Sequence, residues 1–182
     1  MGDREGVRGV VSGFAIRPYE PEDAAELHAA IQESVAEVGV WMPWCHAGYS
    51  LEEARSWIAT QQELTRQGLA YDFSIRSETG GYLGGCGVNQ INRVNLFANL
   101  GYWVRSSAMG RGVAPAAARL VAEHVFRATD LVRLEIVCAV GNVRSQRVAE
   151  KVGAQREGVL RSRVLIPSGP SDAVMYSLIR GR

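Results

Sequence analysis

YWVRSSAMGRGVAPAAARL, residues 102–120, runs from an aromatic, strand-like segment through a glycine-spaced loop into an alanine-rich helix. Gly110 and Gly112 let the backbone curl so that its amides point inward, and the first helical turn adds unpaired N–H groups at the positive end of the helix dipole. A nest of N–H groups of this kind suits a pyrophosphate. The stretch therefore predicts a phosphate-binding junction, and a simple tight turn between strand and helix is the alternative that the two glycines leave open.

Two familiar phosphate loops do not fit this stretch. A P-loop requires a lysine followed by serine or threonine after its last glycine, and both are missing. A dinucleotide-binding loop requires a third glycine, where this chain has Pro115, and it opens a parallel βαβ unit. The segments before the loop instead alternate as an antiparallel meander, so both loops are excluded.

The patterns on either side of the loop predict one α/β domain. A strand begins at Phe14, a capping box at Ser50–Glu53 starts a helix, and three hairpin-linked strands lead to the loop. After a helix over Val113–Ala128, an apolar run over Arg133–Val140 predicts a buried strand, and Asn142 opens a further helix. The expected order is β-α-α-β-β-β-α-β-α-β-β, which gives a mixed, mostly antiparallel sheet of about seven strands with about four helices. We expect residues 14–182 to form the domain and residues 1–13 to form a flexible leader.

Composition narrows the class of protein. The 182 residues are 47% hydrophobic and 21% charged, with a formal net charge of +1, which argues against a nucleic-acid partner. No uninterrupted apolar segment reaches the ~20 residues of a membrane span, so no membrane partner is expected. Three cysteines without C-x-x-C spacing are typical of a reducing cytoplasm. The pair Cys45–His46 has no second Cys/His pair at ligand spacing, so we expect no metal site.

Several motifs in order resemble one enzyme family. Residues 109–114, MGRGVA, resemble the acetyl-CoA pyrophosphate signature Q/R-x-x-G-x-G/A of the GNAT superfamily. The segments FAIRP, WMPW, LGYWV, RLEIVCAVGNVRSQRVAEKVGA and EGVLR resemble the Rim-type (RimJ/RimL-like) branch of N-terminal protein acetyltransferases. The resemblance covers the chain from Phe14 to Ile179. It implies a GNAT-like domain whose sheet is splayed in the middle to hold coenzyme A.

The resemblance implies a reaction and a set of coenzyme-binding residues. The reaction is the transfer of an acetyl group from acetyl-CoA, as co-substrate, to a primary amine by direct attack in a ternary complex. The residues that the resemblance assigns to the coenzyme are Trp103, Val104, Met109, Gly110, Arg111, Gly112, Val113, Ala114 and Asn142. Met109 replaces the usual glutamine or arginine, so a side-chain contact is lost while the backbone cradle is kept. For Trp103, ordinary core packing is the alternative.

Ser145 is the expected proton donor to the departing thiolate. The segment Asn142-Val143-Arg144-Ser145 matches the family's N-x-x-S, which places the serine near the thioester sulfur. Local capping offers an alternative, because asparagine is a good N-cap and serine is common in a first helical turn.

The general base is less clearly indicated. The family often has a glutamate in the motif A-E-I-G-Y, whereas this chain has Asn99 at that position, and an amide cannot take a proton. We expect Asn99 to contact the substrate and Glu135 to be the candidate base, with a paired sheet carboxylate as the alternative role for Glu135. A weak base favours acceptors that are already partly neutral, such as peptide α-amines.

The acceptor is expected beside the aromatic loop that contains Trp41 and Trp44, although lid packing would also explain these side chains. A protein or peptide N-terminal α-amine is the predicted acceptor. A small-molecule amine and a non-catalytic acyl-CoA-binding module remain as alternatives, and an exposed closing strand could pair in a homodimer.

Overall fold

The computed structural model describes residues 9–11 and 13–181. It contains one sheet whose strand order is β1-β2-β3-β4-β5-β6-β8-β7. The elements in chain order are β1 Gly9–Val11, β2 Phe14–Pro18, α1 Ala24–Val38, α2 Leu51–Arg66, β3 Tyr71–Ser77, β4 Tyr82–Asn92, β5 Phe97–Val104, α3 Val113–Ala128, β6 Arg133–Ala139, α4 Val143–Val152, β7 Gln155–Ile166 and β8 Gly169–Ile179. Within the described chain, β5 and β6 are parallel and the other neighbours are antiparallel. The predicted mixed, mostly antiparallel α/β fold is confirmed.

The N-terminal segment adds a strand to the predicted set. Gly9–Val11 pairs antiparallel with the first predicted strand, with Gly9 opposite Ile16, although residues 1–13 were expected to be a flexible leader. Residues 1–8 and residue 12 lie outside the described residues. The domain boundary at Phe14 therefore stays a prediction.

Capping chemistry sets the ends of the two helices on which the site depends. The backbone N–H of Glu53 donates to Ser50 Oγ at 3.1 Å, and the N–H of Ser50 donates to Glu53 Oε2 at 2.8 Å, which confirms the predicted capping box of α2. Asn142 caps α4, because its Oδ1 accepts from the N–H of Ser145 at 3.1 Å.

Within the described chain, none of the helices is long and apolar enough to cross a membrane.

The helices cover both faces of the sheet and create two apolar layers. Successive residues of a strand point to opposite faces, so on β5 Leu100 packs against α3 while Trp103 packs toward α1 and α2. The first layer includes Val121 and Val125 of α3, and both are fully buried. Each face of β5 therefore borders a different group of helices.

The sheet opens between β5 and β6. The two strands pair in parallel only from Phe97 opposite Arg133 to Asn99 opposite Glu135, while β6 continues along β8 as far as Ala139. The rest of β5 lacks a β6 partner in the described chain. This divergence produces a cleft in the middle of the sheet, as the resemblance implied.

Candidate active site

Two cavities meet in this opening of the sheet. The larger, which we call the coenzyme cleft, has a volume of about 880 Å³ and lies between the end of β5, the start of α3 and the side of α4. The smaller, which we call the acceptor cavity, has a volume of about 500 Å³ and lies between the sheet and the helices α1 and α2. Met42, Tyr102 and Trp103 line both cavities. A molecule in one cavity can therefore reach a molecule in the other at these residues.

The loop before α3 presents free backbone N–H groups to the coenzyme cleft. Gly110 and Gly112 have φ angles of +76° and +78°, a conformation that glycine adopts without strain. Within residues 9–11 and 13–181, none of the N–H groups from residue 110 to residue 114 donates to an acceptor. The next helix position is Pro115, which has no N–H to satisfy. The junction is therefore a cradle of unpaired donors, which supports anion binding over a simple tight turn.

Cations of α4 line the same cleft. Arg144, Arg147 and Lys151 follow one another at helical spacing, so they lie on one face of the helix. Glu37 is the one acidic side chain among the described residues of the lining. The Arg144 guanidinium also donates to Met109 Sδ at 3.9 Å. The excess of positive charge suits a phosphorylated ligand. These cations were not predicted, although their spacing after Asn142 was visible in the sequence.

Most of the predicted coenzyme residues line the coenzyme cleft. They are Trp103, Val104, Met109, Gly110, Gly112, Val113, Ala114 and Asn142. Arg111 is exposed and does not belong to the lining. Trp41 was expected on the acceptor side, but it lines the coenzyme cleft. Its ring is 3.2 Å from the point that a Cβ atom would occupy on Gly141.

Ser145 lies in a hydroxyl and thiol network at the junction of the cavities. Its Oγ is 3.2 Å from the Tyr102 hydroxyl and 3.2 Å from Cys138 Sγ, and Tyr102 donates to the Ser145 carbonyl oxygen at 2.8 Å. Burial raises the pKa of Tyr102 and the pKa of Cys138, so both keep their protons at neutral pH. Capping uses the backbone N–H of Ser145 and leaves its hydroxyl available. The structure thus brings Ser145 together with Tyr102, a residue that the sequence had not assigned to catalysis.

Glu135 lies apart from both cavities. Its Oε1 accepts from Arg133 Nε at 2.9 Å, and Arg133 also donates to Glu157 at 2.7 Å. Among the described residues, Glu135 contributes to the lining of neither the coenzyme cleft nor the acceptor cavity. The geometry therefore corresponds to the paired sheet carboxylate that was the alternative role of this residue.

The acceptor cavity has aromatic walls and a polar floor. Tyr19, Trp44, Trp57 and Trp103 form much of its wall. Asn99, predicted on the substrate side, lines the cavity and donates to Asn89 Oδ1 at 3.0 Å. The amide therefore forms part of the floor without supplying a proton acceptor.

Asp72 is the one carboxylate in this cavity among the described lining residues. Gln61 lies between Asp72 and Trp57. In the amide orientation that satisfies both of these side chains, Gln61 donates to Asp72 Oδ2 at 3.0 Å and accepts from Trp57 Nε1 at 3.2 Å. Burial raises the pKa of Asp72 to about 6. Sequence reasoning missed this residue, and the available signal was an acidic side chain in the interior of the strand YDFSIRS.

Comparison with known proteins agrees with this geometry. Residues 14–155 match the sequence family described as acetyltransferase (GNAT) domain. The chain is 30% identical to YdaF of Bacillus subtilis, provisionally named a ribosomal N-acetyltransferase, over 92% of this chain and 91% of that protein. It is 27% identical to the ribosomal-protein-serine acetyltransferase of Escherichia coli, over 86% of this chain and 93% of that protein. Among solved structures, RimL, a ribosomal L7/L12 α-N-protein acetyltransferase in complex with coenzyme A, aligns with a TM-score of 0.87 at 24% identity, covering 94% of this chain and 96% of RimL. The last likeness concerns the fold alone.

Proposed function

The chain belongs to the GNAT acetyltransferase family, whose members transfer an acetyl group from acetyl-CoA, and from this premise we propose that it acetylates the N-terminal α-amine of a protein or peptide. The observation that carries the proposal is the meeting of the coenzyme cleft and the acceptor cavity at Tyr102 and Trp103. Both substrates can be present together there. The amine then attacks the thioester directly in a ternary complex.

Residues of the coenzyme cleft fit the parts of acetyl-CoA. The unpaired N–H groups of residues 110–114 would hold the pyrophosphate. Arg147 and Lys151 would add positive charge near the phosphates. The free edge of β5 beyond Asn99 would pair with the amide groups of the pantetheine arm as an added strand does.

Ser145 would protonate the departing thiolate. A thiol has an ordinary pKa of about 8.5, so the sulfur is already a fair leaving group and needs modest help. The Ser145 hydroxyl is 3.2 Å from the Tyr102 hydroxyl, which donates its own proton to the Ser145 carbonyl oxygen, so this contact positions Ser145 Oγ in the cleft. Replacement of either hydroxyl should therefore slow turnover without removing the coenzyme site.

The acceptor is proposed to be an α-amine because of its acidity. A peptide α-amine has a pKa of about 7.7–8.0, against about 10.4 for lysine, so a far larger fraction of it is neutral at pH 7. A cavity of about 500 Å³ admits the first residues of a chain. The names of the relatives, ribosomal N-acetyltransferases among them, favour a ribosomal protein, which would also place the enzyme in the cytoplasm.

A small-molecule amine is the second candidate acceptor. The aromatic wall formed by Tyr19, Trp44 and Trp57 would enclose a compact ligand as readily as a chain terminus. Asn99 had suggested a third function, a non-catalytic acyl-CoA-binding module. The hydroxyl pair Ser145–Tyr102 at the junction argues for turnover instead.

Peptide acetylation followed by mass spectrometry tests the proposal. Each peptide should carry one free α-amine and one internal lysine, and a matched peptide should have its α-amine blocked. We expect acetylation of the α-amine and no reaction of the blocked peptide. Exclusive lysine modification would contradict the proposal, and turnover of small amines with inert peptides would favour the second candidate.

A homodimer through the closing strands is a further proposal. In the described sheet, β7 forms one edge and β1 the other, and Leu165 on β7 is 68% exposed. An unpaired edge of this kind is a template for pairing with another strand. Sedimentation of native protein and of Leu165→Lys should show a dimer that the charge weakens, whereas a monomer in both samples would exclude the homodimer.

A further inference from the structure

Charge is distributed unevenly between the two cavities. Among the described lining residues, the coenzyme cleft has three cations and one carboxylate, whereas the acceptor cavity has a single charged side chain, Asp72. An otherwise neutral cavity with one carboxylate is selective for a cation, because burying an unpaired charge is unfavourable unless a partner arrives. An amine acceptor is a cation at neutral pH.

Glycines on the two neighbouring strands make room for this carboxylate over the sheet. Asp72 pairs with Gly87 on β4, and Gly87 pairs with Gly101 on β5, so the three residues form one row on the same face of the sheet. A Cβ on Gly87 would overlap the Asp72 carboxylate. Two strand spacings, about 10 Å, separate the backbone of Asp72 from that of Gly101. The row thus leads from the carboxylate across a floor without side chains to the strand that lines both cavities.

Asp72 is held in place without being neutralised. Its contact with Gln61, which also binds Trp57, orients the carboxylate. Within the described part of the chain, Asp72 forms no ion pair. The lone pairs that Gln61 does not use are therefore available to a cation that enters the cavity.

We propose that Asp72 receives the ammonium group of the acceptor and takes one proton from it, so that the amine becomes the nucleophile beside the thioester. The inference rests on the proposed function. An N–H bond of the ammonium breaks and an O–H bond forms on Asp72, which later releases this proton to water. The freed lone pair of the amine forms the bond to the acetyl carbon, and the C–S bond breaks with its electrons on sulfur. Sulfur gains a proton from Ser145, and the second proton lost by nitrogen restores that hydroxyl.

The acidity of Asp72 suits this role. Its pKa of about 6 lies about two units below that of an α-amine, whereas an ordinary aspartate lies about four units below. Proton transfer to Asp72 is correspondingly less unfavourable. Asp72 thereby supplies the proton acceptor that Asn99 lacks.

Among the described residues that line the acceptor cavity, Asp72 is the one group that titrates in this pH range. The remaining titratable side chains of the described lining are Tyr19, Tyr49, Tyr102 and Cys86, and burial raises the pKa of each. All four stay neutral between pH 6 and pH 9. The pH dependence of acceptor use in this range therefore belongs to Asp72 and to the amine itself.

The test compares Asp72→Asn with Asp130→Asn, an identical change at an exposed position. At pH 6.5, kcat/KM for a lysine-free peptide should fall by about 10²–10³-fold in Asp72→Asn and should stay within about twofold in Asp130→Asn. At pH 9 the amine is mostly neutral on its own, so the deficit of Asp72→Asn should shrink by about tenfold or more. A loss below about threefold at pH 6.5, or the same loss at both pH values, would overturn the proposal.

A second readout does not depend on turnover. Calorimetry on enzyme saturated with coenzyme A should show that native protein binds the free-amine peptide more tightly than its des-amino analogue, and that Asp72→Asn loses this preference. Native protein without the preference would overturn the assignment of Asp72. Native protein that shows the preference but does not turn over would instead contradict the proposed function and support the ammonium site.

Discussion

The coenzyme cleft and the acceptor cavity are built in different ways. The coenzyme cleft uses backbone N–H groups and cations from two short runs of sequence, residues 102–115 and 141–151. The acceptor cavity gathers single side chains from distant elements, such as Tyr19, Trp57 and Asp72. Backbone recognition demands a fixed local conformation, whereas side-chain recognition demands only that the fold bring the right groups together. The first kind of site is therefore conspicuous in a sequence, and the second is not.

The largest expected effect breaks the backbone cradle. Gly112→Asp places a negative charge beside the phosphates, and acetyl-CoA affinity should fall by more than about 100-fold. Nothing lies within 4 Å of the Cβ position at Gly112, and aspartate tolerates a positive φ better than most residues, so the variant should fold. Calorimetry measures the affinity.

Gly80→Asp is the matched control for this change. Gly80 has a φ of +87° and equally open surroundings, but it lies in the turn between β3 and β4. The affinity of the Gly80→Asp variant for acetyl-CoA should equal that of native protein. Equal losses in both variants would mean that the cradle is not the coenzyme site.

The next effect concerns the hydroxyl pair at the junction of the cavities. Ser145→Ala should lower kcat by about tenfold to a hundredfold while acetyl-CoA affinity and thermal stability barely change. If Ser145 served only the first turn of α4, the variant would keep its kcat and lose up to about 1 kcal/mol of stability. Steady-state kinetics and thermal unfolding on one preparation distinguish the two outcomes.

Much of the fold could be predicted because its signals are local. The helix over Val113–Ala128 and the capping box at Ser50 follow from spacing and cap chemistry, and the structure confirms both. The strand Gly9–Val11 was not predicted, because three residues are too few to show the alternation of side chains by which a strand is recognised.

The candidate site was predictable only in part. The cradle follows from two glycines, but Asp72 acquires its role from Gly87 and Gly101, which are remote in sequence and adjacent through strand pairing. Trp41 and Trp44 share one loop, yet the fold directs them to different cavities. Pairing register and loop direction are tertiary properties, and no short pattern encodes them.

The contrast between the two cavities also predicts a smaller effect, on stability. The buried charge of Asp72 in the acceptor cavity should destabilise the folded state. The pKa of Asp72 is about 6 in the folded state and about 3.9 in an unfolded chain. The folded state thus binds the proton more tightly, so stability declines as pH rises from about 4 to about 6 and stays lower above that range. Asp72→Asn removes this penalty and should raise the free energy of unfolding at pH 8 by about 1–3 kcal/mol.

Urea unfolding at pH 8 and near pH 3.5 measures this effect. The gain should be clear at pH 8 and should nearly vanish at the lower pH, where the native carboxyl is protonated. A loss of stability at pH 8 would show that the carboxylate is a structural partner rather than a group kept charged for function.

The smallest expected effect concerns the cations of α4. Arg147→Gln should weaken acetyl-CoA binding by about twofold to fivefold, because exposed charges contribute little each and salt screens them. The difference from native protein should narrow as salt rises. An effect as large as that of Gly112→Asp would move the main binding contribution from backbone to side chains.

The most direct test of the account is a two-substrate initial-rate analysis in which acetyl-CoA and an α-amine peptide are varied together. Direct attack at the junction of the two cavities predicts reciprocal plots that intersect, because both substrates must be bound before either product leaves. Parallel plots would indicate an acetylated enzyme, with Cys138, whose sulfur is 3.2 Å from Ser145 Oγ, as a candidate thiol, and they would contradict the ternary complex of the proposed reaction.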